Sequence, residues 1–317
     1  MELPQSLKQA IEEEAEAIPL PRLIAASGRL TAAYREKSGA DQRLVANREE
    51  ALAYAVVRMP ATYGAASEAL QKTSAFFGGE LRTMSDAGAG CGAVGWAAGE
   101  CFPSLEKIIC TERDPNMSAL GKKLMEKVGF PIEAEWREKD LNEGGLPSAD
   151  LVTASYVLNE LSPAKRRALT ERLWESAGKL LILIEPGTPV GFAGLLEARK
   201  TLLSLGAHLL APCPDRAECP LPENDWCHFT ARIPRSRLHK RLKGGEVPYE
   251  DEKYCFLAAV REKTPPCAAR ILRHPKKEPG KITLRLCTRD GVTERVVTAK
   301  NGADFKRARK SDSGDCF

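Results

Sequence analysis

The segment that most constrains the fold is a strand candidate followed by a glycine-rich loop and a helix candidate. Residues 81–86 predict the strand, Asp86-Ala-Gly88-Ala-Gly90-Cys-Gly92 form the loop, and residues 94–101 predict the helix. Glycine has no Cβ atom, so the backbone can turn sharply at these positions and approach a ligand closely. In an open parallel sheet such a unit places a nucleotide across the carboxyl ends of the strands.

Strand and helix candidates alternate through residues 73–204. The strand candidates are residues 107–112, 150–155 and 178–185, and the helix candidates are residues 117–128 and 163–173. Strands that alternate with helices indicate a parallel, doubly wound sheet. We therefore predict an α/β fold whose central domain, residues 73–204, is Rossmann-like.

Three further regions surround this predicted domain. Residues 1–72 predict a helical cap, because residues 44–57 carry apolar side chains at helical spacing. Residues 205–264 combine many prolines with clustered cysteines and predict a loop-rich metal-binding module. Residues 265–317 contain short strand candidates separated by Asp-Gly and Asn-Gly turns. This last region predicts a small antiparallel β-unit with a basic surface.

Acidic residues near the strand ends suggest which nucleotide the loop binds. Glu112 ends the strand after the loop, where its carboxylate could accept both ribose hydroxyls of S-adenosylmethionine or of NAD. Asp86 could anchor the loop and the amino-acid end of S-adenosylmethionine, and Asp140 lies where an acid would contact adenine. These positions, with Tyr156 to Leu161 after the next strand, favour S-adenosylmethionine and a domain of the class I methyltransferase type.

Catalytic residues are harder to identify. The chain has no Asn/Asp-Pro-Pro-aromatic motif of amino-group methyltransferases and no Pro-Cys pair placed for a pyrimidine nucleophile. Asn159 and Glu160 could contact a substrate or could simply pack at a helix start. A methyltransferase fold does not establish methyl transfer, so the catalytic residues stay unknown and the chain is an enzyme only by hypothesis.

Three cysteines lie close together in the proline-rich segment, and a fourth is distant. Cys213, Cys219 and Cys227 follow the pattern C-x5-C-x7-C, and Cys287 lies in Leu-Cys-Thr. Zinc sites usually contain C-x2–4-C pairs, so these wider gaps fit a [4Fe–4S] cluster better. His228 offers an alternative zinc site with three cysteines, and unligated buried thiols are a further alternative.

Charge is distributed unevenly along the chain. Residues 228–317 contain 22 Lys and Arg against 11 Asp and Glu, which is +11, so the first 227 residues carry +4 − 11 = −7. A basic third on an acidic body favours a polyanionic partner, most simply nucleic acid. The alternative is a solvated charged face.

The compartment and the excluded partners follow from the same sequence. No apolar run approaches the roughly 20 residues that span a bilayer, so no membrane partner is expected. The first residues carry no secretory or transit signal, which predicts a cytoplasmic, reducing compartment. A reducing compartment argues against a disulfide framework among the ten cysteines, and Cys267 and Cys316 have no clear partner.

Several of these motifs together carry a family signature. The chain resembles the methyltransferase-like proteins of small ribosomal subunit assembly, an iron–sulfur family known from mitochondria with bacterial relatives. The similarity spans about residues 48–315. The matching stretches are residues 58–63, 86–92, 158–161, 185–188, 213–229, 242–245, 249–253, 273–275 and 286–291.

The resemblance implies a [4Fe–4S] cluster held by Cys213, Cys219, Cys227 and Cys287. It also implies a Rossmann-like domain that can hold S-adenosylmethionine, and association with small-subunit rRNA and assembly intermediates rather than DNA. Basic side chains would then contact phosphates. The candidates are Arg232, Arg235, Arg237, His239, Lys240, Arg241, Lys243, Lys276, Lys277, Lys306, Arg307, Arg309 and Lys310.

Three functions follow from these features. The first is a ribosome assembly factor that uses the cofactor and the cluster for structure or sensing. The second is an active methyltransferase that modifies rRNA or a ribosomal protein. The third and weakest is a small-molecule methyltransferase, which the basic C-terminal third disfavours.

Overall fold

A mixed eight-stranded sheet forms the centre of the computed structural model, which describes residues 1–36, 45–214 and 218–317. Its strands are β1 Thr83–Ala87, β2 Lys107–Glu112, β3 Glu133–Glu138, β4 Ala149–Ser155, β5 Ala177–Pro186, β6 His208–Ala211, β7 Phe229–Pro234 and β8 Tyr249–Val260. Along the sheet the order is β3-β2-β1-β4-β5-β8-β6, with β7 also paired to β8. The first five strands are parallel, and β8 runs antiparallel to β5.

The chain crosses over between parallel strands through helices. These are α5 Ala93–Cys101, α6 Pro115–Val128, α7 Pro163–Ser176 and α8 Pro189–Ser204. Strand order reverses between β1 and β4, and ligands of open α/β sheets bind at the carboxyl ends of the strands at such a point. We call the carboxyl ends of β1 to β5, with the loops that follow them, the cofactor edge.

Four helices precede the sheet: α1 Gln5–Glu16, α2 Leu20–Glu36, α3 Arg48–Val57 and α4 Met59–Ser74. Glu14 of α1 is buried and lies 2.6 Å from Lys123 and 3.1 Å from Arg48, which ties α1 to α6 and α3. The predicted helical region includes residues 37–44, which lie outside the described residues. Asn47 accepts a hydrogen bond from the Glu50 amide and so begins α3.

The predicted loop-rich module over residues 205–264 is not a separate unit. It contributes β6, β7 and β8 to the main sheet, together with the short helix α9 Arg237–Lys243. Residues 254–260 of β8 are all buried, because this half of the strand lies inside the sheet between β5 and β6. The sequence pattern concealed this strand because its first half, residues 249–253, is charged and partly exposed.

A second, four-stranded antiparallel sheet follows. It consists of β9 Ala269–Ile271, β10 Lys276–Glu278, β11 Lys281–Thr288 and β12 Gly291–Thr298, with helix α10 Ala303–Lys310 beside it. Its small core includes Leu284, Val297 and Phe317. Within the described parts of the chain, no helix is long and apolar enough to cross a membrane.

One disulfide contradicts the expectation drawn from cysteine content. Cys267 is bonded to Cys316, 49 residues away in sequence. The C-terminal residues return to β9, where the Phe317 amide donates to Ala269 O at 2.8 Å and the Ile271 amide donates to Asp315 O at 2.9 Å. Backbone pairing thus brings the two thiols together. The spacing of the cysteines in the sequence does not predict that pairing.

Candidate functional sites

The glycine loop turns directly after β1. Gly88, Gly90 and Gly92 all have positive φ, at 77°, 57° and 84°. The amides of Gly88 and Ala89 donate to Thr111 O at 2.8 and 3.0 Å, which holds the loop against the end of β2. A Cβ atom on Gly88 would lie 2.5 Å from a methyl group of Val157. Both the backbone conformation and the space therefore require glycine there.

Glu112 lies beside the loop at the end of β2, as the sequence predicted. One carboxylate oxygen accepts the Gly90 amide at 2.8 Å, and the other accepts the Asp114 amide at 2.8 Å. Burial raises the pKa of Glu112. A carboxylate has about four acceptor positions, and Glu112 is partly exposed. It therefore holds the loop and can still be reached by a ligand.

Asp140 follows β3 and is also partly exposed. Its Oδ1 accepts both the backbone and side-chain N–H groups of Asn142 at 2.8 Å. Its Oδ2 lies 3.8 Å from the Arg113 guanidinium, which also lies 3.8 Å from Glu160. Arg113 thus links Asp140 to Glu160, and Asp140 is at the cofactor edge on the side of β3 and β2.

Asp86 has a different position from the one predicted for direct ligand contact. It is 0 % exposed, and Thr153 donates to its Oδ1 at 2.6 Å. Its Oδ2 has no hydrogen-bond partner. Burial raises the pKa of Asp86 to about 7, against the Thr153 hydrogen bond, which lowers it. The side chain anchors the loop to β4 from inside the sheet and has no surface to offer a cofactor.

The segment after β4 is held by a buried carboxyl group. Glu185 accepts the amides of Leu158 and Asn159 at 2.7 and 3.1 Å. Burial raises the pKa of Glu185 to about 8, although these hydrogen bonds lower it. The Asn159 side chain can also donate to Glu185 at 3.0 Å. Asn159 therefore packs against Glu185, whereas Glu160 faces Arg113.

Three polar residues that the sequence analysis did not single out, Tyr54, Arg58 and Glu252, lie with Tyr156 at the cofactor edge. The Tyr54 hydroxyl lies 3.9 Å from the position that a Cβ atom on Gly90 would take. The Tyr156 hydroxyl donates to Glu252 at 2.9 Å. The charge of Arg58 lowers the pKa of Tyr54, Tyr156 and Glu252, against larger increases from burial. Arg58 and Glu252 lie in two of the family-like stretches, which was the only signal available.

The four predicted metal ligands line one cavity, which we call the thiol cavity. Cys213 follows β6, Cys227 precedes β7, Cys287 lies in β11, and Cys219 lies in the loop between the first two. Apolar side chains of α8 and β8 form much of the remaining wall, including Leu195 and Leu257. The structure thus brings together thiols that are far apart in sequence.

A fifth thiol, Cys255, also lines the thiol cavity. Its Sγ lies 3.2 Å from Pro186 O, which fits the packed position expected from the sequence. His228, the alternative zinc ligand, stacks on Trp226 at 5.2 Å between ring centroids. It is not part of the cavity wall. Among the described residues, no three His, Cys, Asp or Glu side chains are already arranged to hold a metal ion.

The chemistry of the thiol cavity nevertheless fits a metal group. Burial raises the pKa of Cys213 and of Cys227, and the nearby thiols raise the Cys227 value further. Arg270 also lines the cavity, is 2 % exposed, and donates to Pro212 O and Gly314 O. Its remaining Nη2 is buried without a hydrogen-bond partner. A buried cation needs an anionic neighbour, and thiolates on a metal cluster would supply one.

Several predicted phosphate contacts are engaged within the protein. Arg235 and Lys243 contact Glu250 at 3.1 and 2.6 Å, and Arg232 contacts Asp251 at 2.7 Å. His239 is 2 % exposed and lies 3.3 Å from Glu250. These four residues are therefore poor candidates. Lys281 and Arg295 are exposed but likewise contact acidic residues, Glu278 and Asp304. Other basic residues that are exposed include Arg237, Arg241, Lys276, Lys277, Arg289, Lys300, Lys306, Arg307, Arg309 and Lys310.

Strand order, the glycine loop after β1 and the acids after β2 and β3 define a Rossmann-like protein of the class I methyltransferase type. The family can be stated more narrowly. The sequence model described as "Mitochondrial small ribosomal subunit Rsm22" matches residues 48–317. The chain therefore belongs to the Rsm22 family, as its motifs indicated.

Individual relatives agree with that assignment. The human mitochondrial ribosome assembly protein METTL17 is 30% identical over 291 residues, which cover 83% of this chain and 61% of that protein. The mitochondrial Rsm22-cox11 tandem protein 2 of Schizosaccharomyces pombe is 27% identical over 73% of this chain and 38% of its own length. The chain thus spans less than two thirds of either relative. Its predicted cytoplasmic location stays a prediction.

Among solved structures, the chain overlaps magnesium protoporphyrin IX methyltransferase from Synechocystis PCC 6803 with bound SAH. The overlap covers 74% of this chain and 93% of that one, with 14% sequence identity and a TM-score of 0.43.

Proposed function

We propose that this protein is an assembly factor for the small ribosomal subunit. The observation that carries the proposal is the family match over residues 48–317, which includes both the cofactor edge and the thiol cavity. The human relative is named as a ribosome assembly protein. In this proposal the partners are small-subunit rRNA and assembly intermediates.

S-adenosylmethionine is the cofactor that we propose for the cofactor edge. The backbone of Gly88, Gly90 and Gly92 would approach the cofactor, Glu112 would accept its ribose hydroxyls, and Asp140 would contact its adenine. The partial exposure of Glu112 supports this role, because a ligand can reach its carboxylate. Asp86 would act only by holding the loop.

A [4Fe–4S] cluster on Cys213, Cys219, Cys227 and Cys287 is the metal group that we propose for the thiol cavity. Bound there, it would join the loop after β6 to β11 and would place negative charge beside the Arg270 Nη2 group, which has no hydrogen-bond partner. Iron and sulfide analysis of anaerobically purified protein tests this assignment. One stoichiometric zinc in colourless protein would contradict iron and support the zinc alternative.

The exposed basic residues of the second sheet and α10 are the rRNA-binding surface that we propose. Contacts between such side chains and phosphates give affinity that falls steeply with salt. Lys306 and Lys310 are both exposed on α10. Their replacement by glutamate should weaken binding to small-subunit rRNA and reduce the dependence of binding on salt.

A crosslinking map on small-subunit precursors tests the whole proposal. We expect crosslinks between rRNA and α10 that are lost in the Lys306→Glu/Lys310→Glu variant. The matched control is Lys122→Glu/Lys200→Glu, which makes the same charge change at exposed positions of α6 and α8. Equal loss of binding in both variants would mean that net charge, and not the α10 surface, determines rRNA binding. Absence of rRNA crosslinks in the wild type would overturn the assembly role.

Methyl transfer to rRNA or a ribosomal protein is a second candidate function. It is favoured by the partly exposed Glu112 and Glu160 at the cofactor edge. The test is incorporation of a labelled methyl group into immature small subunits by the wild type and by Glu112→Gln. Incorporation that the variant loses would establish an enzyme, whereas no incorporation by a cofactor-loaded wild type would leave the assembly role alone. If the protein did not bind rRNA at low salt, the third function, methyl transfer to a small molecule, would be favoured instead.

A further inference from the structure

Three residues from distant parts of the chain meet at the cofactor edge, and we call them the edge triad. Arg58 lies at the junction of α3 and α4, Tyr156 follows β4, and Glu252 lies in β8. Tyr156 donates to Glu252 at 2.9 Å, and the charge of Arg58 acts on both side chains. All three are partly exposed. A cation, a carboxylate and a hydroxyl are thus gathered where a ligand can reach them.

The backbone of Tyr156 supports a functional reading of this group. Its φ is 60°, and among the described residues no other residue except glycine has a positive φ. A bulky side chain in this conformation is strained, and such strain persists where the surrounding structure imposes it, often at ligand sites. The Tyr156 amide donates to Ile184 O at 2.8 Å, which fixes the turn. The turn brings the Tyr156 hydroxyl to Glu252.

The direction of the cofactor across the sheet follows from the strand order. Asp140 lies after β3 and Glu112 ends β2, so the adenine and ribose of the proposed cofactor lie on that side. The amino-acid end must then extend past the glycine loop toward β4, β5 and β8. The edge triad lies on that side. Asp86, which the sequence suggested for this end, is fully buried.

The charges of the edge triad match this end of the ligand. The amino-acid end of S-adenosylmethionine carries a carboxylate and an ammonium group side by side. Arg58 offers a planar guanidinium that suits a carboxylate, and Glu252 offers an acceptor for an ammonium. Without ligand the two opposite charges can compensate each other, so the site is stable in either state.

We propose that the edge triad recognises the zwitterionic amino-acid end of the cofactor, with Arg58 on its carboxylate, Glu252 on its ammonium group, and Tyr156 positioning Glu252. The inference rests on the proposed S-adenosylmethionine function and adds the residues that select this cofactor over other adenine nucleosides. NAD lacks such an amino-acid end, so the same residues discriminate against it.

Calorimetric binding of four ligands tests the inference: S-adenosylmethionine, S-adenosylhomocysteine, decarboxylated S-adenosylmethionine and 5′-methylthioadenosine. The last of these lacks the whole amino-acid end. Loss of one charge-assisted contact weakens binding about 10–100-fold. Arg58→Met should therefore weaken binding of S-adenosylmethionine and S-adenosylhomocysteine, which carry the carboxylate. It should not change binding of the other two ligands, which lack it. Glu252→Gln should weaken every ligand that carries the ammonium group and spare 5′-methylthioadenosine.

Two controls separate this inference from the proposed cofactor function. Asp251→Asn changes the neighbouring carboxylate, which contacts Arg232 instead, and should leave all four affinities unchanged. Glu112→Gln should weaken all four ligands alike, since each contains the ribose. If the Arg58 and Glu252 variants lost affinity for all four ligands equally, or lost no affinity, the role of the edge triad would be wrong. The proposed cofactor function would still stand.

The wild-type protein offers a test that does not depend on a variant folding correctly. We expect it to bind S-adenosylhomocysteine at least tenfold more tightly than 5′-methylthioadenosine. Equal affinities would overturn the edge triad alone. Absence of binding by all four ligands would overturn the proposed cofactor function and the inference with it.

Discussion

The cofactor edge and the thiol cavity are built in opposite ways. Most of the cofactor edge comes from consecutive β–α units between residues 83 and 140, and its hydrogen bonds join neighbours such as Gly90 and Glu112. The thiol cavity is assembled from α8, β8, β9 and β11, together with the loop between β6 and β7. The first can form as soon as its local units fold, whereas the second requires both sheets to be in place.

The two sites also differ in how their polar groups are satisfied. At the cofactor edge, Glu112 and Glu185 accept backbone amides without a ligand. At the thiol cavity, buried Arg270 retains one N–H group without a partner, and the neighbouring thiols have raised pKa values. The cofactor edge is therefore preorganised without a ligand, whereas the thiol cavity would gain stability from the metal group proposed for it.

The largest expected effect comes from removing a thiol. Cys227→Ser should lose the metal group and unfold the region around the thiol cavity, because a structural metal contributes on the order of 10 kcal/mol to folding. Cys219→Ser should behave in the same way over residues 205–290. Metal analysis and limited proteolysis measure the outcome. Cys101→Ser is the control, since Cys101 is partly exposed at the end of α5. An unchanged metal content in Cys227→Ser would contradict the assignment.

Removing the disulfide should have the next largest effect. Cys267→Ser opens a link across 49 residues, and such a crosslink stabilises a fold by about 2–4 kcal/mol. Denaturant unfolding should show this loss in the second sheet, with the main sheet retained. The control is Cys101→Ser, which retains the disulfide: a reducing agent should destabilise this variant by the same amount. It should not change the stability of Cys267→Ser, which has no disulfide to reduce. If wild-type protein denatured without reductant exposes both Cys267 and Cys316 to alkylation, the pairing is wrong.

A pH-dependent effect should follow from Asp86. Its pKa is about 7 in the folded protein and near the ordinary aspartate value of 3.8 when unfolded, so the folded state retains the proton between these values. Its contribution to stability is complete below pH 3.8 and is lost as pH rises to about 7. Between pH 5 and pH 8 this loss amounts to about 2–3 kcal/mol.

The test compares wild type with Asp86→Asn, which keeps an acceptor for Thr153 and cannot ionise. Urea unfolding at pH 5 and pH 8 should show the variant gaining stability relative to wild type as pH rises. Opposing titrations, such as that of Glu250, whose pKa is lowered by His239 and Lys243 against burial, are common to both proteins and cancel in the difference. A difference that does not vary with pH would refute the raised pKa of Asp86.

The smallest expected effect tests how tightly the glycine loop is packed. The reference is Gly129, which ends α6 and has no neighbour within 4 Å of the position a Cβ atom would take. Gly129→Ala introduces a side chain at φ 69° and should lower the free energy of unfolding by about 1 kcal/mol from backbone strain alone. Gly88→Ala adds a contact at 2.5 Å with Val157 at a similar φ, and should cost roughly 2 kcal/mol. Thermal unfolding measures both. Equal losses would mean that Val157 moves aside.

Local patterns predicted much of the main sheet. The strand expected over residues 107–112 is β2 with the same ends, and the strand expected over 178–185 lies within β5. Both depend on contiguous apolar residues, which sequence displays directly. The edge strand β3 was missed because its residues are half-exposed or exposed and show no apolar run. The position of Glu112 beside the loop was predictable because one β–α unit separates them.

Roles that depend on distant partners could not be read in this way. Asp86 was expected to contact a ligand, and its burial follows from strands on both sides of β1. His239 was expected to contact phosphate, and it is instead buried beside Glu250 of β8. Arg58 and Glu252 lie far apart in the chain, and only the packing of α4 against β8 brings them to the same side of the sheet.

The sequence by itself determined the Rossmann-like unit, the glycine loop, the acids after β2 and β3, and membership of the family. These features depend on steric and periodic preferences of adjacent residues, which act whatever the rest of the chain does. Only the tertiary structure decided that β8 lies inside the main sheet and that Cys267 pairs with Cys316. Those outcomes depend on which strands pair and in which register, and that choice is made by burial across the whole chain.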